Sequence, residues 1–283
     1  MTTEPLILLA AGGTGGHLFP AEALGVELIR RGLRVRLATD ARALRYSGLF
    51  SKETIDVVPS ATVRGRSPWS LAHTGAVLAA GMAVSLNLMR KLKPAAVVGF
   101  GGYPTLPPLL AARLFGIPTA IHEANAVLGR ANRFLSGRVN AIATSLPGVL
   151  DRDPSLAEKT TTVGTPMRPT ILAAAAVPFA SPEPNGPLRL LVVGGSQGAR
   201  VMSDIVPGAI DQDQFANAGV LSQVNASLRI PQAEFTPDRL AAEISALAAE
   251  PARLTAMAAA ARIVGRLDAA ERLADLVAKV AGI

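Results

Sequence analysis

The sequence predicts an α/β protein with a complete doubly wound parallel sheet in its N-terminal part. Short apolar segments alternate there with helical patterns, which is typical of βαβ units. Glycine-rich segments follow several of the apolar segments directly, as they do at strand-to-helix turns that bind phosphates. Hydrophobic residues make up 49% of the 283 residues and charged residues 17%, so the chain can bury a large core and disorder is excluded.

Seven apolar segments of residues 1–163 are predicted strands. They are Leu6–Ala10, Arg34–Ala38, Thr54–Val58, Ala95–Val98, Pro118–His122, Asn140–Thr144 and Thr161–Val163. Helical patterns separate most of them, and a helix between two strands is the usual crossover of a parallel sheet. This part of the chain is therefore predicted to be a complete Rossmann-like domain.

The C-terminal part, residues 164–283, is predicted to be an incomplete second Rossmann-like domain. A proline-rich boundary loop at 178–187 precedes a new apolar strand at 188–193. Beyond it, Asn225–Ile230 is the one further segment with a strand pattern. Helical patterns fill three alanine-rich stretches: 237–249, 251–264 and 267–280. Two strands are too few, because a doubly wound half needs about five or six.

The excess positive charge of the chain lies in its N-terminal part. Residues 1–163 carry 18 Lys/Arg against 10 Asp/Glu, within a formal net charge of +7 for the whole chain. This imbalance predicts an anionic partner. We do not expect nucleic acid, because one Trp and two Tyr offer little stacking surface and no DNA- or RNA-binding motif occurs. An anionic lipid surface fits better.

The absence of cysteine limits the kinds of site and of catalysis that the chain can have. It excludes disulfides, thiolate nucleophiles and cysteine-ligated zinc, and it suits a reducing compartment such as the cytoplasm. The first residues show no basic segment of a signal peptide, so we expect none.

Three glycine-rich segments follow apolar strands, at 12–17, 99–104 and 194–200. Glycine lets backbone N–H groups approach a phosphate, and the next helix directs its positive end at the anion. Each segment could therefore hold a diphosphate. The alternative for any single segment is that its glycines only form a tight turn. Three such segments at equivalent places favour phosphate binding.

A nicotinamide-dependent oxidoreductase is the competing interpretation of the first segment. Asp40 closes the second predicted strand, where an acid that binds a ribose would lie. The G-x-G-x-x-G fingerprint fails, however. A match that begins at Gly13 ends on Leu18, and one that begins at Gly12 has Thr14 at its third position.

Six motifs together resemble the MurG family of bacterial cell-wall glycosyltransferases. They are AGGTGGHLFPAEAL at 11–24, GFGGYPTLPPLLAA at 99–112, HEANAVLGRANR at 122–133, GTPMR at 164–168, GGSQGAR at 194–200 and DQDQFANAG at 211–219. The resemblance implies a two-domain GT-B enzyme. Such an enzyme transfers N-acetylglucosamine from UDP-N-acetylglucosamine to the undecaprenyl-diphospho-muramoyl-pentapeptide lipid of peptidoglycan synthesis.

The resemblance also implies site residues. It assigns contacts with the donor to Thr14, Gly15, Gly16, Asn125, Arg168, Ser196, Gln214 and Asn217. His17 would be the general base, because imidazole suits proton transfer near neutral pH, and Glu123 is the rival base. The alternative for His17 is a side chain that only completes the first turn of a helix. His122, beside Glu123 at the end of a strand, is expected to be functional as well.

No metal and no cofactor are implied for this reaction. The string Asp211-Gln212-Asp213 looks like the metal-binding D-x-D of other glycosyltransferases, but it belongs to the family motif that precedes a helix. The resemblance further implies peripheral attachment to the cytoplasmic face of the bacterial inner membrane, and roles in cell shape and cell division.

An apolar stretch at 70–89 approaches the length that spans a bilayer, but it contains His73 and Asn87 and lies within the βα alternation. An interfacial or partly buried helix is expected, with Trp69 at the lipid boundary and basic residues on both sides. The alternative is an ordinary core helix.

The second half departs from the family pattern. The chain passes directly from VPGAI at 206–210 to the DQDQFANAG motif, without several βα units that the family has there. Two hypotheses follow: a glycosyltransferase whose donor site is reduced by an internal deletion, or a non-catalytic module that still docks on the lipid diphosphate and the membrane.

Overall fold

The computed structural model describes residues 4–45, 48–61, 68–183, 213–231 and 234–283. Seven strands occur in these ranges: β1 Leu6–Ala11, β2 Arg34–Thr39, β3 Ile55–Val57, β4 Ala96–Gly99, β5 Thr119–Glu123, β6 Ala141–Thr144 and β7 Thr160–Thr162. All seven strands predicted for residues 1–163 are therefore confirmed, with ends that shift by at most one residue.

Helices occupy most of the remaining described chain. They are α1 Gly15–Arg30, α2 Pro68–Leu92, α3 Leu106–Leu114, α4 Arg130–Ser136, α5 Pro154–Ala157, α6 Pro169–Ala175, α7 Asp213–Gln223, α8 Pro237–Ala249, α9 Pro251–Val264 and α10 Ala269–Ala281. Short 3-10 helices follow β2 and β4, at Ala41–Arg45 and Tyr103–Thr105.

The seven strands form one parallel sheet in the order β3-β2-β1-β4-β5-β6-β7. The chain winds outward from β1 in one direction through β3 and then, from β4 onward, in the other direction. The strand order reverses between β1 and β4, and ligands of open α/β sheets bind outside the carboxyl ends of the strands at such a point. The doubly wound fold that the sequence predicts is confirmed.

Alternate residues of the strands belong to two hydrophobic cores, one on each face of the sheet. In β1, Ile7 and Leu9 join one core and Leu8 and Ala10 the other, and all four are fully buried. Helices α1 and α10 cover the first face, and α2, α3 and α4 cover the second. Burial on both faces explains why the central strands β1 and β4 are continuous apolar segments without alternation of polar residues.

The structure divides the chain at other places than the predicted boundary between 163 and 164. One compact unit consists of residues 1–176 together with 266–283, and the other of residues 177–265. The last helix, α10, thus belongs to the first unit, although the sequence grouped it with the C-terminal domain. Its Leu273 and Val277 are fully buried against the sheet. Burial of each such side chain stabilises the folded state by about 2 kcal/mol, which explains why the chain returns to the first unit.

In the second unit the predicted helices are confirmed as α8 and α9, but the predicted strand Asn225–Ile230 is wrong. Its first residue, Asn225, is left-handed with φ of 59°, and the segment has no strand partner among the described residues. An isolated strand has nothing to satisfy its backbone hydrogen bonds. The predicted strand at 188–193 lies outside the described residues.

Within the described chain, Ala72–Leu92 of α2 is the one helix that is long and apolar enough to span a membrane, a test that core helices also pass. Only 28% of its apolar window is buried in the protein, so the expectation of a partly buried helix is met.

Candidate active site

Two of the three glycine-rich segments meet at the carboxyl ends of β1 and β4. The Gly12 N–H donates to the Gly101 carbonyl at 3.1 Å, and the Phe100 N–H donates to the Ala10 carbonyl at 2.8 Å. Gly101 and Gly102 both have positive φ, of 89° and 80°, which favours glycine there. A Cβ on Gly102 would lie 3.1 Å from Gly12 Cα, so the two loops pack backbone to backbone.

His17 lies in the first turn of α1, and its ring packs against both loops. A Cβ on Gly12 would lie 3.1 Å from His17 Cδ2, and one on Gly101 would lie 3.1 Å from its Cε1. The Nδ1 atom is buried and has no hydrogen-bond partner among the described residues. Burial lowers the pKa of His17, against the opposing effects of the Phe100 backbone and the Glu123 charge. The imidazole is therefore neutral at pH 7, the form that accepts a proton.

The carboxylate of Glu123 is fully occupied by hydrogen bonds. Oε1 accepts from the backbone N–H and the side-chain amide of Asn125, at 3.0 and 3.1 Å. Oε2 accepts from Gly129 N and Asn132 Nδ2, both at 2.9 Å. Glu123 is only 2% exposed. This geometry suits a residue that shapes the loop at 124–129, and it favours His17 over Glu123 as the proton acceptor.

His122, which the sequence predicts to be functional, is buried at the end of β5. Its Nε2 lies 3.2 Å from both the Gly164 carbonyl oxygen and the Ser145 hydroxyl. Burial lowers the pKa of His122 to about 4, so it stays neutral. The residue ties the end of β5 to the chain that leaves β7.

The remaining first-loop residues lie at the start of α1. Thr14 is the residue before the helix, and its side chain makes no capping hydrogen bond. Gly16 is exposed, and a Cβ there would meet nothing within 4 Å. The first N–H groups of a helix have no partner within it, so the turn at Gly15 and Gly16 presents donors to an anion.

Arg168 lies directly before α6 and stacks on α1. Its guanidinium carbon is 4.0 Å from the centre of the Phe19 ring. Both residues line a cavity of about 300 Å³ beside α1, together with Glu22 and Phe50. A cation is thereby held close to the first turns of the helix that carries His17.

The other predicted donor contacts belong to the second unit or are not described. Asn217 is half-buried in α7, and Gln214 lies in the same helix, although its side chain is outside the described residues. Ser196 and the third glycine-rich segment also lie outside them, as do Asp211 and Gln212. In the part of the chain that is described, no group of three or more His, Asp or Glu could hold a metal ion.

The roles of two residues of the site were not predicted from the sequence. Asn132 is buried and donates to both Glu123 and the His122 carbonyl, so it joins α4 to the end of β5. Its signal was present, because it belongs to the motif at 122–133. Asp40 accepts hydrogen bonds from Gly13 and Arg42, which leaves no free oxygen for a ribose and agrees with the rejection of a nicotinamide site.

The fold and the position of this candidate site define a class of protein: an α/β protein with a glycine-rich site at the switch point of a doubly wound sheet. Family models agree with this class. The glycosyltransferase family 28 N-terminal domain matches residues 7–144, and the glycosyltransferase family 28 C-terminal domain matches residues 205–273.

Curated relatives define the family more narrowly. The UDP-N-acetylglucosamine--N-acetylmuramyl-(pentapeptide) pyrophosphoryl-undecaprenol N-acetylglucosamine transferase of Nitrobacter hamburgensis is 62% identical, over 99% of this chain and 98% of the relative. The enzyme of the same name from Bradyrhizobium diazoefficiens is 60% identical, over the full length of both chains. The chain belongs to the MurG family of glycosyltransferase family 28.

Solved structures have the same fold. The crystal structure of Acinetobacter baumannii MurG has a TM-score of 0.71 at 24% identity, over 98% of this chain and 100% of that chain. The glycosyltransferase of kitacinnamycin has a TM-score of 0.60 at 18% identity, over 98% and 99%. These similarities support the GT-B architecture.

The relatives also confirm the predicted truncation of the second domain. The alignment with the Nitrobacter enzyme runs over 364 positions, whereas this chain has 283 residues. At least 81 positions of the relative therefore have no counterpart here. The junction that the sequence indicates, between 210 and 211, lies outside the described residues.

Proposed function

We propose that this chain transfers N-acetylglucosamine from UDP-N-acetylglucosamine to the undecaprenyl-diphospho-muramoyl-pentapeptide lipid. The names of relatives at about 60% identity support this reaction. The observation that carries the proposal in this chain is the neutral imidazole of His17 at the junction of two glycine loops. A base at that place lies beside the anion-binding turn of α1.

The reaction is a single displacement at the anomeric carbon. The acceptor hydroxyl forms the new C–O bond while the bond to UDP breaks, and the configuration inverts. His17 takes the proton of the hydroxyl, and the diphosphate leaves with the electron pair. The N–H groups at the start of α1, together with Arg168, stabilise the charge that grows on the diphosphate.

The enzyme acts, in this proposal, as a peripheral protein on the cytoplasmic face of the inner membrane. The first unit exposes Leu114 (72%) and Phe115 at the end of α3, and Arg90 lies 5.9 Å above the Phe115 ring. Arg113 and Arg138 line a neighbouring cavity of about 320 Å³. Exposed apolar side chains among cations fit an anionic lipid surface. As a step of peptidoglycan synthesis, the activity would serve cell shape and cell division.

Calorimetry with UDP-N-acetylglucosamine tests the donor half of the proposal. The full chain should bind, and Ser196→Ala and Gln214→Ala should each weaken binding about tenfold, as expected for a lost hydrogen bond to a charged ligand. A transfer assay with a short-chain lipid diphosphate acceptor then tests catalysis. Asp151→Asn, at an exposed position, is the matched control.

The second hypothesis is a docking module without transferase activity, and the relatives, which are named as transferases, do not favour it. The second unit lacks many positions of its relatives, and Gly219 is the sole buried residue among those of 216–231 and 234–265. A folded chain that binds the acceptor lipid but not the UDP-sugar would favour the docking module and contradict the transferase.

A further inference from the structure

The first glycine loop is held in place by the two residues at the end of β2. The Thr39 hydroxyl donates to the Ala11 carbonyl at 2.8 Å, and Asp40 Oδ2 accepts from the Gly13 N–H at 3.2 Å. Both hydrogen bonds are buried. On its other side the loop donates through Gly12 to Gly101. The loop is thus held between β2 and β4.

The peptide of Gly13 rests directly on the carboxylate. A Cβ at this position would overlap Asp40 Oδ1 and lie 2.9 Å from Arg42 Cβ, so glycine is required. Four residues later His17 donates its backbone N–H to Thr14 at 3.0 Å. A shift of the Gly13 peptide therefore moves the start of α1 and the imidazole with it.

A carboxylate beside the turn that is to bind a diphosphate would normally repel it. The Asp40 side chain is only 10% exposed, so water screens its charge poorly. Arg42 compensates: its Nη2 and Nε lie 2.7 and 3.0 Å from the carboxylate oxygens, and its backbone N–H donates at 2.8 Å. Burial by itself raises the pKa of Asp40, but Arg42 and the Gly13 N–H outweigh it and lower the pKa, so the pair is ionic.

We propose that Asp40 is a positioning residue of the transferase, which holds the His17 loop in its reactive geometry, and that Arg42 is its counter-charge. The pair fixes the loop without adding net negative charge at the diphosphate site. This inference rests on the proposed function. In other doubly wound enzymes an acid at the end of the second strand binds a ribose. In this chain the acid at that place, Asp40, would instead hold the glycine loop.

The steady-state kinetics of four variants test the inference in the transfer assay. Asp40→Ala should lower kcat at least tenfold and change KM less than threefold, because the loop loses its anchor. Asp40→Asn should retain more activity, since it keeps the shape and one acceptor oxygen. Arg42→Ala should raise the KM of UDP-N-acetylglucosamine about fivefold, and Asp40→Asn in that background should restore it.

The Arg36–Asp56 pair is a matched control. Arg36 Nε lies 2.8 Å from Asp56 Oδ2, and the Asp56 side chain is 16% exposed, against 10% for Asp40. The pair joins β2 to β3 and does not contact the loop. Asp56→Asn should leave kcat and KM unchanged. If Asp40→Ala has wild-type kinetics, or if the double variant keeps the raised KM, the inference is wrong.

Hydrogen exchange separates this inference from the proposed function, because it needs no turnover. Peptides that cover residues 12–18 should exchange at least fivefold faster in Asp40→Ala than in the wild type, while β5 and β6 stay unchanged. Unchanged exchange at 12–18 would overturn the inference even for an active enzyme. An inactive wild-type chain with faster exchange in the variant would contradict the proposed function alone.

Discussion

The two compact units form helices equally well but differ in what those helices cover. In the first unit, two hydrophobic cores lie on the two faces of a seven-stranded sheet in the described chain. In the second unit, α8 and α9 contain no buried residue, and Ile263 is 85% exposed. The difference shows that local sequence is sufficient to form a helix but not to build a core.

Local signals account for the helices of the second unit. The Thr236 side chain accepts from the Arg239 N–H at the start of α8, and Pro237 occupies the first helical position. These signals survive a deletion elsewhere in the chain. Strands that could cover the apolar faces of α8 and α9 would come from other parts of the chain. The relatives have at least 81 positions that this chain lacks.

The largest expected effect concerns the chemistry assigned to the first unit. His17→Ala should lower kcat by about 10² to 10⁴-fold, the usual contribution of a general base. The Kd of UDP-N-acetylglucosamine should change less than threefold, since the ring acts on the acceptor. Single-turnover transfer and calorimetry measure the two effects. A variant that retains a tenth of the wild-type kcat would exclude His17 as the base.

A matched pair of substitutions that shorten one side chain in each unit tests the difference in packing between the units. Leu273→Ala, at a fully buried position of α10, should lower the free energy of unfolding by about 2 to 5 kcal/mol. Ile263→Ala, at a largely exposed position of α9, should change it by less than about 0.5 kcal/mol. Urea denaturation followed by circular dichroism measures both. Equal losses would show that the second unit buries Ile263 in solution.

The part of the pH dependence of stability that comes from histidine should arise in the first unit, which holds all three histidines of the chain. The pKa of His122 falls from 6.5 to about 4 on folding, so between these values the unfolded chain binds more protons. Stability should therefore decrease as the pH falls from 6.5 to 4, by at most about 3 kcal/mol from this group. His122→Gln should flatten that slope in urea titrations.

The smallest effect is expected at the proposed membrane surface. Leu114→Glu should weaken binding to vesicles that contain anionic lipid by about fivefold, since it replaces an exposed apolar contact by a negative charge. Ile263→Glu, in the second unit, serves as the control and should bind like the wild type. Vesicle sedimentation measures both variants, and the reverse ranking would assign the membrane contact to the second unit.

The site was only partly predictable. The glycine loops and His17 belong to local motifs, so the sequence predicted them. The occupied carboxylate of Glu123 depends on Gly129 and Asn132, which reach it through the fold of a loop and a helix. His122 illustrates the same limit, because its partners Gly164 and Ser145 come from other parts of the sheet.

The sequence alone determined the seven strands, the helices between them and the family, since strand patterns, helix caps and glycine turns are encoded within a few residues. Tertiary structure alone decided that Asp40 holds the glycine loop, and that α10 returns to the first unit, where Asp275 pairs with Arg31 at 2.6 Å. Such contacts join residues that are far apart in the chain. Their formation depends on how the sheet and helices pack together, which no local pattern records.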